Sequence, residues 1–141
     1  MSTETGSAPG HERGLLDTCV VIDLAELAGS GTLPRESAVS ALTLAELAQG
    51  VATAKSSTAV MARAQLLSDV EGRFDALPFD AQAARRYGTL VAMTVAAGHD
   101  PRPRRIDLMI AAVAAAHSLP LFTRNGADFK GLEGALTVVS V

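Results

Sequence analysis

Short apolar segments alternate along the chain with longer segments whose composition favours helix, and this alternation restricts the possible folds. Strands that alternate with helices form a mostly parallel sheet, because each helix carries the chain back across a face of the sheet. We therefore predict an α/β fold with a central, mostly parallel sheet of four to five strands flanked by helices. The predicted strands are residues 13–16, 38–42, 73–79, 119–123 and 135–141.

The length of the chain predicts one domain, because 141 residues are enough for a single core and no linker or internal repeat divides them. Residues 1–12 are small and polar, so we expect a flexible tail followed by a domain over residues 13–141. The single cysteine excludes an intramolecular disulfide. Without a secretory signal or an apolar run long enough to span a bilayer, we expect a cytoplasmic protein with no membrane association.

Local signals predict the helices of the first half. Residues 18–28 are predicted to form one helix after the first strand, in which Cys19 is a small buried hydrophobic residue. Thr43 and Glu46 have the spacing of a capping box, in which two side chains satisfy each other's free backbone amides. This pattern predicts that the helix after the second strand begins at Thr43.

The second half contains equally clear signals for helix ends. Asp80 is predicted to cap a helix over residues 81–97, which Gly98 terminates. Residues 99–105 contain two prolines and are predicted to be non-helical. The next helix is predicted over residues 107–117.

Four acidic residues occupy positions where predicted strands end or helices begin: Asp17, Glu46, Asp107 and Asp128. The carboxyl ends of parallel strands share one edge of a sheet, so we expect these side chains in one pocket. Two like charges ~4 Å apart repel by about 4 kcal/mol at an effective dielectric constant of ~20. Either their pKa values rise or a cation neutralises them, and oxygen ligands without His or Cys favour Mg²⁺ or Mn²⁺.

Each acid taken alone also has an ordinary structural explanation. Asp17 and Asp107 have the positions of helix N-caps, Glu46 that of a capping-box partner, and Asp128 that of a turn cap. Four acids at one predicted edge together favour a metal site. The two roles are compatible, because a helix N-terminus stabilises a carboxylate.

Basic residues lie next to two of these acids. Although the net charge of −3 argues against a general nucleic-acid binder, Arg102, Arg104 and Arg105 precede Asp107 and Arg124 follows the fourth strand. We predict that these arginines bind phosphate groups, although an arginine-rich composition can also reflect the genome. An acidic pocket with a basic rim suits metal-dependent hydrolysis of phosphodiesters.

Four segments carry a resemblance to a known family: LLDT at 15–18, TLAEL at 43–47, DLMIAA at 107–112 and TRNGADF at 123–129. In their order and spacing they resemble a PIN domain, and within that superfamily the toxin ribonucleases of VapBC toxin–antitoxin pairs. The resemblance implies a PIN-like three-layer sandwich. It also implies an endoribonuclease, the toxin of a type II system, that depends on one or two Mg²⁺ or Mn²⁺ ions per site.

The resemblance further implies partners and site residues. It implies a homodimer bound in a heteromeric complex by a cognate antitoxin that covers the active site, with RNA as substrate. The acidic quartet of the family matches Asp17, Glu46, Asp107 and Asp128, and its polar positions match Thr123 and Asn125, with Thr18 as a further supporting residue. Some relatives carry an acid where this chain has Asn125.

Other functions are weighed against this hypothesis. A receiver-like phospho-acceptor domain also binds Mg²⁺ at strand ends but expects a lysine after a late strand, and neither Lys55 nor Lys130 has that position. A catalytically silent PIN-like binding module and a DNA nuclease of the same superfamily remain alternatives.

Overall fold

The computed structural model describes residues 11–141 and contains the predicted alternation of strands and helices. The strands are β1 (Arg13–Leu16), β2 (Glu36–Ser40), β3 (Asp75–Leu77), β4 (Leu121–Thr123) and β5 (Val138–Ser140). The helices are α1 (Thr18–Ile22), α2 (Leu24–Leu27), α3 (Ala41–Ala52), α4 (Ser57–Arg73), α5 (Ala81–Ala96) and α6 (Arg105–Ala116). Two short 3₁₀ helices span Arg102–Arg104 and Gly126–Phe129.

The five strands form one sheet in the order β3-β2-β1-β4-β5, and every pair is parallel. The chain extends the sheet in one direction from β1 through β2 to β3, and then in the other through β4 and β5. The chain segments that follow β1 and β4 therefore lead to opposite faces of the sheet. This divergence opens a crevice between the carboxyl ends of the two strands.

Helices cover both faces of the sheet, because successive side chains of a strand point to opposite sides. Leu15 and Leu121 pack into an apolar cluster with residues of α5 and α6. Leu16 and Phe122 pack into a second cluster with residues of α1, α2, α3 and α4. This arrangement confirms the predicted α/β sandwich of three layers. No helix among residues 11–141 has the length and apolar character required to cross a membrane.

The prediction of a single helix over residues 18–28 is wrong. The helix breaks at Asp23, whose backbone angles (φ −97°, ψ 19°) interrupt the helical repeat between α1 and α2. The Asp23 carboxylate accepts a hydrogen bond of 2.9 Å from Arg124, a partner beyond β4. Asp23 therefore pairs with an arginine that is distant in sequence, at the position where the local pattern predicts a continuous helix.

The prediction of a capping box at Thr43 is also wrong. Strand β2 ends at Ser40, two residues before the predicted end, and the Ser40 hydroxyl accepts a hydrogen bond of 3.0 Å from the amide of Leu42. Ser40 is therefore the N-cap of α3, and Thr43 is its third helical residue. Glu46 is placed further along the helix and is available for other contacts.

The non-helical prediction for residues 99–105 is wrong at its end. A 3₁₀ helix spans Arg102–Arg104 and α6 begins at Arg105. Proline is tolerated at the start of a helix because the missing amide has no partner in the first turn. The prediction for α5 is confirmed, since Asp80 accepts a hydrogen bond of 3.0 Å from Ala83 and Gly98 has a φ of 85°.

Three of the predicted strands are shorter than expected. Strands β3, β4 and β5 have three residues each, because the flanking residues belong to helices, turns or extended connections. Most of the predicted tail, residues 1–10, lies outside the described residues. The carbonyl groups of His11 and Glu12 accept hydrogen bonds from Arg35 (3.3 Å) and Glu36 (2.8 Å).

Two glycines provide a test of this packing. A methyl group at Gly14 in β1 would overlap the ring of Phe122 and lie 3.1 Å from Pro34, whereas one at Gly88 in α5 would meet no atom within 4 Å. We expect Gly14→Ala to destabilise the protein by about 1–3 kcal/mol through overpacking. Gly88→Ala should stabilise it by about 0.5–1 kcal/mol, because glycine weakens a helix interior.

Urea denaturation of the two variants measures both effects. A Gly14→Ala protein as stable as the wild type would contradict the close contact of β1 with Phe122. The opposite sign expected for Gly88→Ala controls for a general effect of alanine.

Candidate active site

Asp17, which follows the end of β1, is the most buried of the four predicted acids, with 4% of the residue exposed. Its backbone amide donates a hydrogen bond of 2.9 Å to the carbonyl of Phe122 in β4. Its carboxylate accepts one bond of 2.9 Å from the amide of Thr18 and another of 2.8 Å from the hydroxyl of Thr123. Burial raises the pKa of Asp17, and these hydrogen bonds oppose the rise. The hydroxyl of Thr123 thus orients the carboxylate of Asp17 inside the protein.

Asp107 lies half-buried in the first turn of α6 and interacts with the other three acids. Its pKa rises to about 6, first because burial disfavours the charged form and then because of the negative charges of Asp17, Glu46 and Asp128. Arg104 acts in the opposite direction. The structure therefore brings all four acids to the same edge of the sheet, with Asp107 close enough to sense each of them.

Glu46 lies on α3 and faces the start of α1. The hydroxyl of Thr18 donates a short hydrogen bond of 2.6 Å to the Oε1 atom of Glu46. A hydroxyl bonded to a carboxylate at this distance forms one of the stronger hydrogen bonds found in proteins. Thr18 is thus bound to two of the four acids, through its amide to Asp17 and through its side chain to Glu46.

Asp128 lies in the 3₁₀ helix after β4 and is held by an arginine. The Nη1 atom of Arg104 donates a hydrogen bond of 2.8 Å to the backbone carbonyl of Asp128, and its Nη2 atom lies 3.4 Å from the carboxylate. Both side chains are more than half buried. Arg104, predicted to bind phosphate, therefore has a carboxylate partner inside the protein.

The other predicted phosphate-binding arginines differ in their partners. Arg102 forms a bidentate ion pair with Asp100, in which both N–O distances are 3.1 Å. Arg124 contacts Asp23 at 2.9 Å and Glu26 at 2.7 Å. Arg105 forms no salt bridge with any acid among residues 11–141. Its charge is the least compensated of the four.

Cavities flank the acidic edge. One of 390 Å³ is lined by Arg105, Asp107 and Glu46, together with Arg102 and its neighbours. A cavity of 450 Å³ lies at the amino ends of the strands and contains none of the four acids, so cavity volume alone does not identify the site. The grouping of charges is the better guide, since like charges gather where a ligand compensates them.

The donor set fits a hydrated divalent cation. Among residues 11–141, no three Asp, Glu, His or Cys side chains converge closely enough to enclose an ion by themselves. Mg²⁺ keeps several waters and commonly binds only one or two carboxylates directly, so it does not require such an enclosure. Asp17 and Asp107, whose carboxyl pKa values burial raises, would hold the ion, with Glu46 and Asp128 beside them.

Two further residues, Cys19 and Asn125, contact Thr123. Cys19 is partly buried against the second apolar cluster, and its sulfur lies 3.7 Å from the carboxylate of Asp17 and 3.6 Å from the hydroxyl of Thr123. The predicted apolar packing of Cys19 is therefore present in part, and its sulfur lies next to the site as well, as its position two residues after Asp17 indicates. Asn125 is exposed and contacts Thr123 through its backbone amide (3.1 Å).

Comparisons with known proteins agree with this geometry. Residues 15–134 match the PIN domain. The chain is 38% identical over 129 residues to Ribonuclease VapC5 of Mycobacterium tuberculosis, a match that covers 89% of this chain and 91% of the relative.

Solved structures give the same result. A member of the VapBC family of toxin–antitoxin systems, VapBC-5 from Mycobacterium tuberculosis, matches with a TM-score of 0.80 and 34% identity over 92% of this chain and 99% of that one. FitAcB from Neisseria gonorrhoeae matches with a TM-score of 0.67 and 27% identity, covering 89% and 96% of the two chains. These matches confirm the resemblance drawn from the four sequence segments, and the chain belongs to the PIN domain family.

Proposed function

We propose that this protein is the toxin of a type II toxin–antitoxin pair and an endoribonuclease that depends on Mg²⁺ or Mn²⁺. The observation that carries the proposal is the gathering of Asp17, Glu46, Asp107 and Asp128 at one edge of the sheet, where Arg105 lines a cavity with Glu46 and Asp107. The similarity to Ribonuclease VapC5 supports RNA as the substrate.

The need for a cation follows from the electrostatics of the folded protein. Burial and three neighbouring acids hold the pKa of Asp107 at about 6, so at neutral pH the ionised site carries unfavourable negative charge. One or two divalent ions per site would remove this repulsion. A bound divalent cation supplies Lewis-acid polarisation of a phosphate and activation of water.

The residues around the acids hold them in place. Thr123 and the amide of Thr18 fix Asp17, while the Thr18 hydroxyl fixes Glu46. Arg104 fixes the segment of Asp128. Such pre-arrangement lowers the reorganisation needed when charge develops on a phosphate. No side chain of the protein has to act as a nucleophile.

Substrate binding falls mainly to Arg105 in this proposal. It lines the same cavity as Glu46 and Asp107, where a phosphate group next to the acids would meet its guanidinium. Arg102 and Arg124 are already paired with acids and contribute less charge to an RNA strand. We propose that the exposed side chain of Asn125 orients a ligand or water at the rim.

A cognate antitoxin is the proposed protein partner. A cavity of 460 Å³ next to Thr18 and Glu46 is lined by Ile22, Leu47 and Leu66, and the Ile22 side chain is 56% exposed. An exposed apolar surface beside a charged site suits a protein that binds there and covers the acids. The toxin–antitoxin systems among the structural relatives support this partner.

The proposal also includes a homodimer of the toxin within the heteromeric complex, located in the cytoplasm with its RNA substrate. Val95 on α5, 58% exposed, provides apolar surface available for contact between subunits.

Replacement of Asp17 by asparagine tests the ribonuclease activity. Asp17→Asn removes the charge and keeps the size of the side chain, so cleavage of a single-stranded RNA with Mn²⁺ should fall by about 10²-fold or more. Its circular dichroism spectrum should match the wild type. Asp75→Asn, at the amino end of β3, is the matched control and should cleave normally.

The same assay separates the alternatives. Undiminished cleavage by pure Asp17→Asn protein would remove Asp17 from the mechanism. No cleavage by the wild type with either cation would favour a binding module, and faster cleavage of the matching DNA would favour a DNA nuclease.

The raised pKa of Asp107 predicts that the free energy of unfolding of the metal-free protein depends on pH. Its folded-state pKa of about 6 lies above the ordinary value of 3.8, so the folded protein binds more protons than the unfolded chain between these values. The contribution of Asp107 to stability therefore becomes less favourable as pH rises through this window. In EDTA, Asp107→Asn should raise the melting temperature at pH 7, and this gain should shrink as pH falls below 6.

Differential scanning calorimetry at about pH 4 and pH 7 measures the gain. Asp69→Asn on the exposed face of α4 controls for the substitution itself. A gain of the same size at both pH values would contradict the repulsion assigned to Asp107.

Replacement of Arg105 tests the phosphate contact. Arg105→Gln should raise KM for RNA about three- to tenfold with little change in kcat, because the contact positions the substrate without entering the chemical step. The slope of log affinity against log salt should become shallower by about 0.7 for single-stranded RNA. Arg85→Gln, exposed on α5, is the control, and an equal effect of both variants would contradict a specific role for Arg105.

A further inference from the structure

Thr43 carries a hydroxyl group in a fully buried position of α3. The helix is capped by Ser40, so the Thr43 side chain is not required for the capping role that its sequence context predicts. Its Oγ1 atom lies 2.9 Å from the Oγ1 atom of Thr18. A buried hydroxyl without a partner is costly, and a valine of the same shape would fill the position without that cost. The contact with Thr18 therefore supplies the partner that the buried hydroxyl of Thr43 needs.

The direction of this hydrogen bond follows from the protons available. The Thr18 hydroxyl has a single proton and donates it to Oε1 of Glu46 at 2.6 Å. In the contact of 2.9 Å, Thr18 can therefore only accept, and Thr43 is the donor. The three side chains form a chain of hydrogen bonds that runs from Thr43 through Thr18 to Glu46.

We propose that Thr43 is a positioning residue of the active site, which orients the Glu46 carboxylate through the hydroxyl of Thr18. This inference rests on the proposed metal-dependent function. The donation by Thr43 leaves Thr18 with one orientation of its proton, towards Glu46, and hydrogen bonds in such a chain strengthen one another. Glu46 has several rotatable bonds, so this anchor restricts its carboxylate to the edge shared with Asp107.

The test compares Thr43→Val, which removes only the hydroxyl, with Thr43→Ser, which keeps it. The first readout is the Mn²⁺ dissociation constant, obtained without RNA from the rise of the melting temperature with Mn²⁺ concentration. Thr43→Val should raise it about five- to tenfold, a loss typical of one hydrogen bond to a charged group. Thr43→Ser should stay within about twofold of the wild type.

The second readout is steady-state cleavage of RNA. Thr43→Val should lower kcat by a similar factor and leave KM unchanged, because the substrate contact of Arg105 is intact. Thr43→Ser should restore kcat. If Thr43→Ser is as impaired as Thr43→Val, the methyl group and its packing are responsible, and the proposal is overturned.

Two controls separate positioning from stability. Thr94→Val replaces another buried threonine, whose hydroxyl bonds to the carbonyl of Leu90 within α5, and should leave the Mn²⁺ response unchanged. Ser40→Ala should lower the melting temperature through the loss of the helix cap without changing the Mn²⁺ response. A shift of the Mn²⁺ response in either control equal to that of Thr43→Val would overturn the proposal.

A double-mutant cycle tests the route through Thr18. Thr43→Val should have no further effect on the Mn²⁺ response in a Thr18→Val background, because the link to Glu46 is already broken. A full additional effect would show that Thr43 acts by another route. If Thr43→Val does not fold, Thr43→Ala carries the same expectations.

The outcome also distinguishes this inference from the proposed function. Glu46→Gln is measured beside the Thr43 variants. If Glu46→Gln alters the Mn²⁺ response and Thr43→Val does not, only the inference on Thr43 fails. If neither the wild type nor any variant responds to Mn²⁺, the proposed metal site itself fails.

Discussion

The amide of Asp17 donates a hydrogen bond to Phe122, and the hydroxyl of Thr123 donates another to the Asp17 carboxylate. Both contacts depend on the parallel pairing of β1 with β4, at the point where the strand order reverses. This pairing places a buried acid at the carboxyl edge of the sheet. The segments that follow β1, β2 and β4 then bring further polar residues to the same edge.

Gathering the acids opposes folding, and the structure compensates for it only in part. Hydrogen bonds from Thr18 and Thr123 and the charge of Arg104 offset some of the repulsion, yet the pKa of Asp107 remains at about 6. The divalent cation that we propose for this site would neutralise the remaining charge. The antitoxin that we propose to cover this edge would also have to compensate its negative charge.

Features set by neighbouring residues could be predicted from the sequence, and those set by distant pairing could not. The cap at Asp80 follows from a local pattern, and the common edge of Asp17, Asp107 and Asp128 follows from their positions at strand ends and in the first turn of a helix. The cap at Ser40 depends on where β2 stops, which its pairing with β1 and β3 decides. The partners of the arginines could not be predicted for the same reason, because Arg104 and Arg124 form ion pairs with acids that are far away in the sequence.

The central claim is that the four acids form a divalent-cation site, and anomalous diffraction from crystals soaked in Mn²⁺ tests it most directly. The predicted result is a peak at the carboxyl edge of the sheet, at a coordination distance of about 2.1 Å from an oxygen of Asp17 or Asp107. The peak should be absent from crystals of Asp17→Asn protein. A fully soaked wild-type crystal with no anomalous peak at this edge, or with Mn²⁺ bound only elsewhere, would contradict the account.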